Sequence, residues 1–337
     1  MTKKQMKLGL FLMGTGHHIA SWRHPDAQAD ASENVDFFKE VAIKAEEGKL
    51  DMLFLSDGLS FNELSHPAEQ IRFEPLSLLS VLSTVTKNIG LTATASTTYN
   101  EPFHIARKFS SLDHLSKGRA AWNIVTSYYE AEASNFTQEK HLDHSLRYDR
   151  ADEFVEVVKG LWDSYDDDAL VRNKETGEYI AQGKLHTLNH KGPYYAVRGP
   201  LNSSRPPQGH PVLVQAGSSE SGTTLAAKQG DVIFTAQQTI DDAQAFYKKL
   251  KDKAVAAGRD REDIKIMPGV SVYVAETEEL AREKYEELQR LITPEIGLDF
   301  LADYLGVDLS NHDLDGPLPK DIPPTNGNLS LIHISEP

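Results

Sequence analysis

Short polar side chains stand at the ends of apolar runs in this chain. His17 and His18 follow LGLFLMGTG, Asp57 follows LDMLFLS, Thr94 and Ser96 close LTATAS, Asn123 and Thr126 fall in AAWNIVT, and Ser218 and Ser219 follow PVLVQAG. Parallel α/β sheets and barrels bind ligands at the C-terminal ends of their strands, so these are the positions where chemistry is expected. The set is rich in neutral hydrogen bonders. It holds one carboxylate, whereas glycoside hydrolysis wants two flanking the bond. A dinuclear metal hydrolase wants several His and Asp ligands, and only the first loop offers adjacent histidines. The chain has no cysteine, which removes thiolate nucleophiles, disulfides and thiolate metal sites. The pattern suits the holding of a large polar aromatic cofactor.

QAGSSESG, residues 215–222, is the phosphate candidate, because a strand ends in Ala216-Gly217 and two hydroxyls then open a helix. Backbone N–H groups at a helix N-terminus attract anions. Ser218 would equally serve as an ordinary helix cap, and composition does not separate the two roles. Gly14-x-Gly16 lacks the third glycine of a dinucleotide fingerprint. In His141-x-x-His144-x-x-x-Tyr148, a zinc reading lacks its second pair of ligands. His144 and Tyr148, four residues apart, share one helical face and can reach one ligand; an ordinary helix N-terminus is the plain alternative. His104, Arg107, Asp113 and His114 read as structural pairing on an outer helix, and Trp22 and Trp122 either line an aromatic pocket or are simply buried.

The elements that must position these residues follow a βα rhythm. Apolar runs at 6–13, 50–56, 89–96, 119–126, 211–217, 231–236 and 264–275 predict seven strands. Helical spacing predicts helices over 34–49, 75–86, 102–117, 145–162, 218–229, 240–257 and 277–292. Residues 163–209 break the rhythm with DDD, Lys-Gly-Pro and Ser-Ser-Arg-Pro-Pro, and read as an insertion whose GPYYAVRG piece packs beside the sheet. So many parallel units favour an α/β fold of the (β/α)8 TIM-barrel type over an open doubly wound sheet. An eighth strand is not found; after Ile292 come a helix, LDFLADYLG, and a polar Pro/Asn/Gly-rich stretch.

The last nine residues, LSLIHISEP, are what CTGTCTCTTATACACATCTCCGAGCCC encodes, a string resembling a transposon-type sequencing adapter. The expectation is therefore one barrel domain over 1–328, truncated before its last strand, with a non-native tail over 329–337. A net charge of −15 argues against a nucleic-acid or anionic-membrane partner, since either needs a basic face. The first apolar run is too short for a signal peptide, no run approaches a membrane span, and the lack of cysteine fits a cytoplasmic protein.

TASTTYNEPFHIARKFSSLDHLSKGRAAWNIVTS, residues 94–127, resembles the signature of the bacterial-luciferase-like flavin monooxygenases, in the branch holding nitrilotriacetate monooxygenase component A and the dibenzothiophene-sulfone monooxygenases. GLFLMGTGHHIASWRHP, FLSDG, HSLRYDRADEFVEVVKGLWDS, HKGPYYAVRGPLNSSRPPQGHPVLVQAGSSESG and DVIFTAQ extend the resemblance over almost all of residues 6–290. The resemblance implies a barrel with insertions that uses reduced FMN, supplied by a separate NAD(P)H:flavin reductase, and O2 as co-substrate. A C4a-peroxyflavin would then oxygenate a small organic substrate containing sulfur or nitrogen. Carried over by position, the family's flavin contacts fall on Asp57, Thr94, Asn123, His144 and Tyr148, with Ser218 and Ser219 at the phosphate. His17 or His18 is the catalytic candidate, and the family's habit of forming dimers or tetramers implies a homo-oligomer. Within the same fold, a coenzyme F420-type oxidoreductase and a flavin-binding relative without turnover are the alternatives.

Overall fold

Strands and helices alternate as the apolar periods dictate. The computed structural model describes residues 5–63, 65–136, 140–317, 319 and 322. Its first part runs β1 (Gly9–Phe11), α1 (Val35–Glu47), β2 (Met52–Leu55), α2 (Pro67–Gln70), α3 (Pro75–Leu82), β3 (Gly90–Ser96), α4 (Pro102–Ser116), β4 (Ala120–Val125), α5 (Glu130–Ser134) and α6 (His144–Trp162). A small hairpin, β5 (His190–Lys191) with β6 (Ala196–Val197), interrupts the alternation. The rest is β7 (Val212–Gln215), α7 (Glu220–Gln229), β8 (Val232–Thr235), α8 (Ile240–Ala256), β9 (Lys265–Pro268), α9 (Glu278–Arg290) and α10 (Pro294–Leu305).

Seven strands pair in the order β1-β2-β3-β4-β7-β8-β9, every neighbour parallel. The architecture is a nearly closed parallel barrel wrapped by helices. Across the seam the first and last strands meet through side chains: Met267 comes within 3.3 Å of the place a Cβ on Gly9 would occupy. Inside the barrel Phe11 of β1 meets Phe54 of β2 and Phe234 of β8 edge to face. Among the described residues β9 is the last strand, and no helix is long and apolar enough to cross a membrane.

Period-two alternation sorts each strand between two environments. Leu53, Leu55, Leu91, Ala93, Trp122, Ile124 and Leu213 are buried in the large core with α1, α3, α4 and α6. Phe54, Ala121 and Val214, with Phe11, Met52, Val212 and Val232, form a separate cluster inside the barrel. Helix starts follow local chemistry: Asn34, Glu74, Ser219, Thr239, Thr277 and Thr293 each accept a hydrogen bond from the first helical turn. Arg119 ties the base of β4 to its neighbours by donating to the carbonyls of Ser83, Thr86, Ile89 and Ser116.

Three expectations change. The strand over 264–275 ends at Pro268, where β8 also runs out of pairing residues; Val270, Val272 and Val274, at 81%, 72% and 73% exposure, lie outside the ladder. The GPYYAVRG piece of the insertion forms a hairpin of its own and does not join the seven-stranded sheet. Its hairpin lies on α6, where the buried Glu153 carboxylate accepts from the His190 ring and from the N–H groups of Tyr194 and Tyr195, and Leu188 sits over Gly160. The helix expected over 218–229 starts at Glu220, because Ser219 is its cap. The proposed adapter-encoded tail, 329–337, lies outside the described residues.

Candidate active site

The interior face turns polar toward the C-terminal ends of β3 and β4. Thr94 and Asn123 are direct register partners, and by alternation they share the interior face with Thr92 and Ala121 below. The Thr94 hydroxyl donates to the Leu55 carbonyl at 2.7 Å and therefore accepts the Asn123 amide N–H at 2.9 Å. Three strands are thus joined by one short relay. The Asn123 Oδ1 and the Thr92 hydroxyl are buried with no partner. Leaving such a group unpaired costs about 1–3 kcal/mol, so each marks a place where an incoming donor is expected.

A further orphaned acceptor stands on the neighbouring strand, on the helix-facing side shared with Leu213 and Ile124. Gln215 pairs with Ile124 at the end of β7, is 4% exposed, and its Oε1 has no partner. Its amide nitrogen crowds the space beside Gly217, where an added Cβ would also come within 3.1 Å of both the Gly222 Cα and the Tyr148 hydroxyl. Only glycine leaves this turn open. Ser219 Oγ accepts the Gly222 N–H at 3.0 Å as the cap of α7, while Ser218 is exposed just before it. The rings of His144 and Tyr148 lie 4.8 Å apart on the first turns of α6, so the Gly217 turn, the α7 N-terminus and this ring pair form one constellation. Burial, and then the nearby Arg147 charge, hold His144 below the usual histidine value, which favours a neutral ring.

At the end of β2 the Asp57 carboxylate accepts its neighbour Gly58's N–H at 3.0 Å. Burial pushes it up to about 6, against the pull of Arg72 and with help from Glu74 and Glu132. A carboxyl poised near neutrality in a cleft is a functional-site signal. In the loop after β1 the two histidines differ. His17 is exposed, with its Nε2 held by the Phe11 carbonyl at 2.8 Å. The His18 Nδ1 accepts the Ala20 N–H at 3.2 Å, so its proton sits on Nε2, and that atom is buried without a partner.

Ser127, Tyr99 and Arg147 are neighbours that a reading of strand ends does not reach. The Ser96 and Ser127 hydroxyls meet at 2.8 Å, with Ser127 in the left-handed region at φ 57°. Arg147, 2% exposed, donates to the carbonyls of Leu142, Thr126 and Ser127, and His141 bridges the Tyr99 hydroxyl and the Ser127 carbonyl. These residues build the wall of the site. HSLRYD supplied a clue in its arginine, whose burial inside a helix needs carbonyl partners. Asp113 and His114 take the structural role expected of them, binding Ala120, Gln208 and Ser204. Trp122 is wholly buried and donates to the Ala95 carbonyl, and Trp22 is 42% exposed, so they form no shared pocket.

Residues 11–309 match the family described as luciferase-like monooxygenase. The chain belongs to that family. An N-acetyl-S-(2-succino)cysteine monooxygenase of Bacillus subtilis (strain 168) is 64% identical over 319 residues, 94% of this chain and 72% of its own length. Nitrilotriacetate monooxygenase component A of Aminobacter aminovorans is 48% identical over 340 residues, 97% of this chain and 75% of its own. Among solved structures, a riboflavin lyase holding modified FMN and riboflavin superposes with TM-score 0.88 at 35% identity, over 96% of this chain and 75% of that one. The enzyme is thus a monooxygenase on a luciferase-like barrel.

Proposed function

We propose that the chain is the oxygenating component of a two-component system. It takes reduced FMN from a separate NAD(P)H:flavin reductase and uses dioxygen to oxygenate a small carboxylate-bearing thioether or amine. The observation that carries this reading is the buried, unpartnered amide oxygen of Asn123 on the interior face, together with the open Gly217 turn at the N-terminus of α7. A ligand that fits presents N–H donors to the strands and an anion to the turn, and FMN has both. Thr94, Asn123 and Asp57 would hold the ring system, and Ser218, Ser219, Tyr148 and His144 the phosphate end.

When bound, reduced flavin supplies the electrons that activate dioxygen. The protein orients and shields. The Phe11, Phe54 and Val214 cluster closes the barrel beneath the site against water. The free Nε2–H of His18 is the donor available above it, which favours His18 over His17 as the residue that stabilises developing negative charge on oxygen. The relatives' names support the substrate class, one acting on an S-substituted cysteine and the other on an amino-polycarboxylate, and "component A" supports a partner reductase. The test mixes the full chain with reduced FMN under anaerobic conditions and then adds dioxygen labelled with heavy oxygen and N-acetyl-S-(2-succino)cysteine or nitrilotriacetate. A product carrying one labelled atom is expected. Oxidation of FMN with hydrogen peroxide as the sole oxygen product for both probes would overturn the reading.

A further inference from the structure

The turn that carries Asp57 is gripped by a helix that follows β4. The Leu59 N–H donates to Glu132 Oε1 at 2.9 Å, and the Asn135 amide donates to the Leu59 carbonyl at 2.8 Å. Both backbone groups of one residue after β2 are therefore taken by α5 and its C-cap. A five-residue helix has little stability of its own. This one is anchored from outside: Glu130 accepts the His141 N–H at 3.1 Å, and the Phe136 ring stacks on Tyr99 at 4.5 Å. Glu132 is 3% exposed, yet only one of its oxygens has a partner. Burying a carboxylate with half its acceptors idle is costly and is not required to cap a short helix.

We propose that Glu132 is a positioning residue of the site: it fixes the Asp57–Leu59 turn against the loop after β4. Three charges act on Asp57: Arg72 and Glu74 from the segment around α2 and α3, and Glu132 from α5. Arg72 favours the ionised carboxylate, and Glu74 and Glu132 favour the neutral acid. A neutral Asp57 donates a hydrogen bond to a ligand, whereas an ionised one only accepts. Glu132 thereby fixes where Asp57 stands, and its charge adds in a minor way to the burial that favours the neutral acid. The consequence for flavin rests on the function proposed above, and the consequence for Asp57 does not.

The experiment uses the full chain and the variants Glu132→Gln, Glu132→Ala and Asn135→Ala, each checked for native circular dichroism. Two readouts are taken from about pH 5 to about pH 8: FMN affinity by fluorescence quenching, and the titration of Asp57 by carbon-13 carboxyl resonances without flavin, assigned by their loss in Asp57→Asn. Glu132→Ala is expected to weaken FMN binding about tenfold or more, the loss of one hydrogen bond to a charged group. Asn135→Ala, which removes a neutral bond, loses less. Glu132→Gln keeps an acceptor for Leu59 and most of the affinity, but moves the Asp57 midpoint down, a change that a purely structural role would not produce. Unchanged midpoint and unchanged affinity in both Glu132 variants would overturn the proposal. If Glu132→Ala does not fold, the Glu132→Gln titration decides alone. A wild-type chain that binds no FMN sinks the flavin reading while the Asp57 midpoint still tests the role of Glu132.

Discussion

Replacing Asp57 by Asn should stabilise the protein, and by an amount that depends on pH. In the fold this carboxyl titrates at about 6, against an ordinary aspartate value of 3.8, and burial is the main cause. The gap corresponds to about 3 kcal/mol, an upper figure because the side chain is only partly buried and water screens its charges. The sign follows from proton counting. Below about pH 4 both folded and unfolded chains hold the proton, and the group costs nothing. Between about 4 and 6 the unfolded chain has released the proton that the folded chain still binds, so stability falls as pH rises. Above about 6 the full cost persists. The amide of the Asp57→Asn variant does not ionise and carries no such cost. Urea denaturation of both proteins from about pH 5 to about pH 8 isolates the effect, because the other titrating groups cancel in the difference. The advantage of the variant should grow with pH and level off near neutrality, reaching at most about 3 kcal/mol. A difference that is flat with pH, or that shrinks as pH rises, would refute the claim that burial holds Asp57 near neutrality. The cost itself is what a functional group retained against stability looks like.

Two further outcomes are expected. Gly217→Ala places a methyl group within 3.1 Å of the Gly222 Cα and the Tyr148 hydroxyl and against the Gln215 amide, filling the turn; FMN affinity should fall about tenfold or more, with riboflavin, which lacks the phosphate, affected much less in the same fluorescence assay. Asp113→Asn replaces one of two buried acceptors, Oδ1 serving the Ala120 N–H at 3.1 Å and Oδ2 serving the Gln208 N–H at 3.0 Å, by an amide donor; urea denaturation should show a loss of about 2–4 kcal/mol, while FMN affinity of the folded fraction stays unchanged.

Much of the candidate site is legible at the strand ends, through two rules that need no third dimension. Apolar runs become strands, and ligands bind beyond their C-terminal ends. Thr94, Asn123, Asp57 and the Gly217–Ser219 turn were reached that way. Gln215 was passed over because it sits inside the run PVLVQAG and reads as part of a buried strand. The cap read on Ser218 falls one residue later, on Ser219, because the helix starts at Glu220 and the Gly222 N–H reaches the Ser219 Oγ. The overlong strand after Ile264 shows the reverse error: alternating valines satisfy the strand period, but pairing ends where the partner β8 ends.

The amino-acid sequence by itself determined the alternation of strands and helices, the barrel class and the polar character of the strand ends, since period, caps and turn residues are local properties. Only the tertiary structure decided which polar atoms find partners. That Thr94 gives its proton to Leu55, that Asn123 and Gln215 keep idle oxygens on neighbouring strands, and that Glu132 reaches 73 residues back to hold Leu59 are consequences of register and packing between distant segments. Hydrogen-bond satisfaction is settled by the whole fold at once, and no window of sequence contains it.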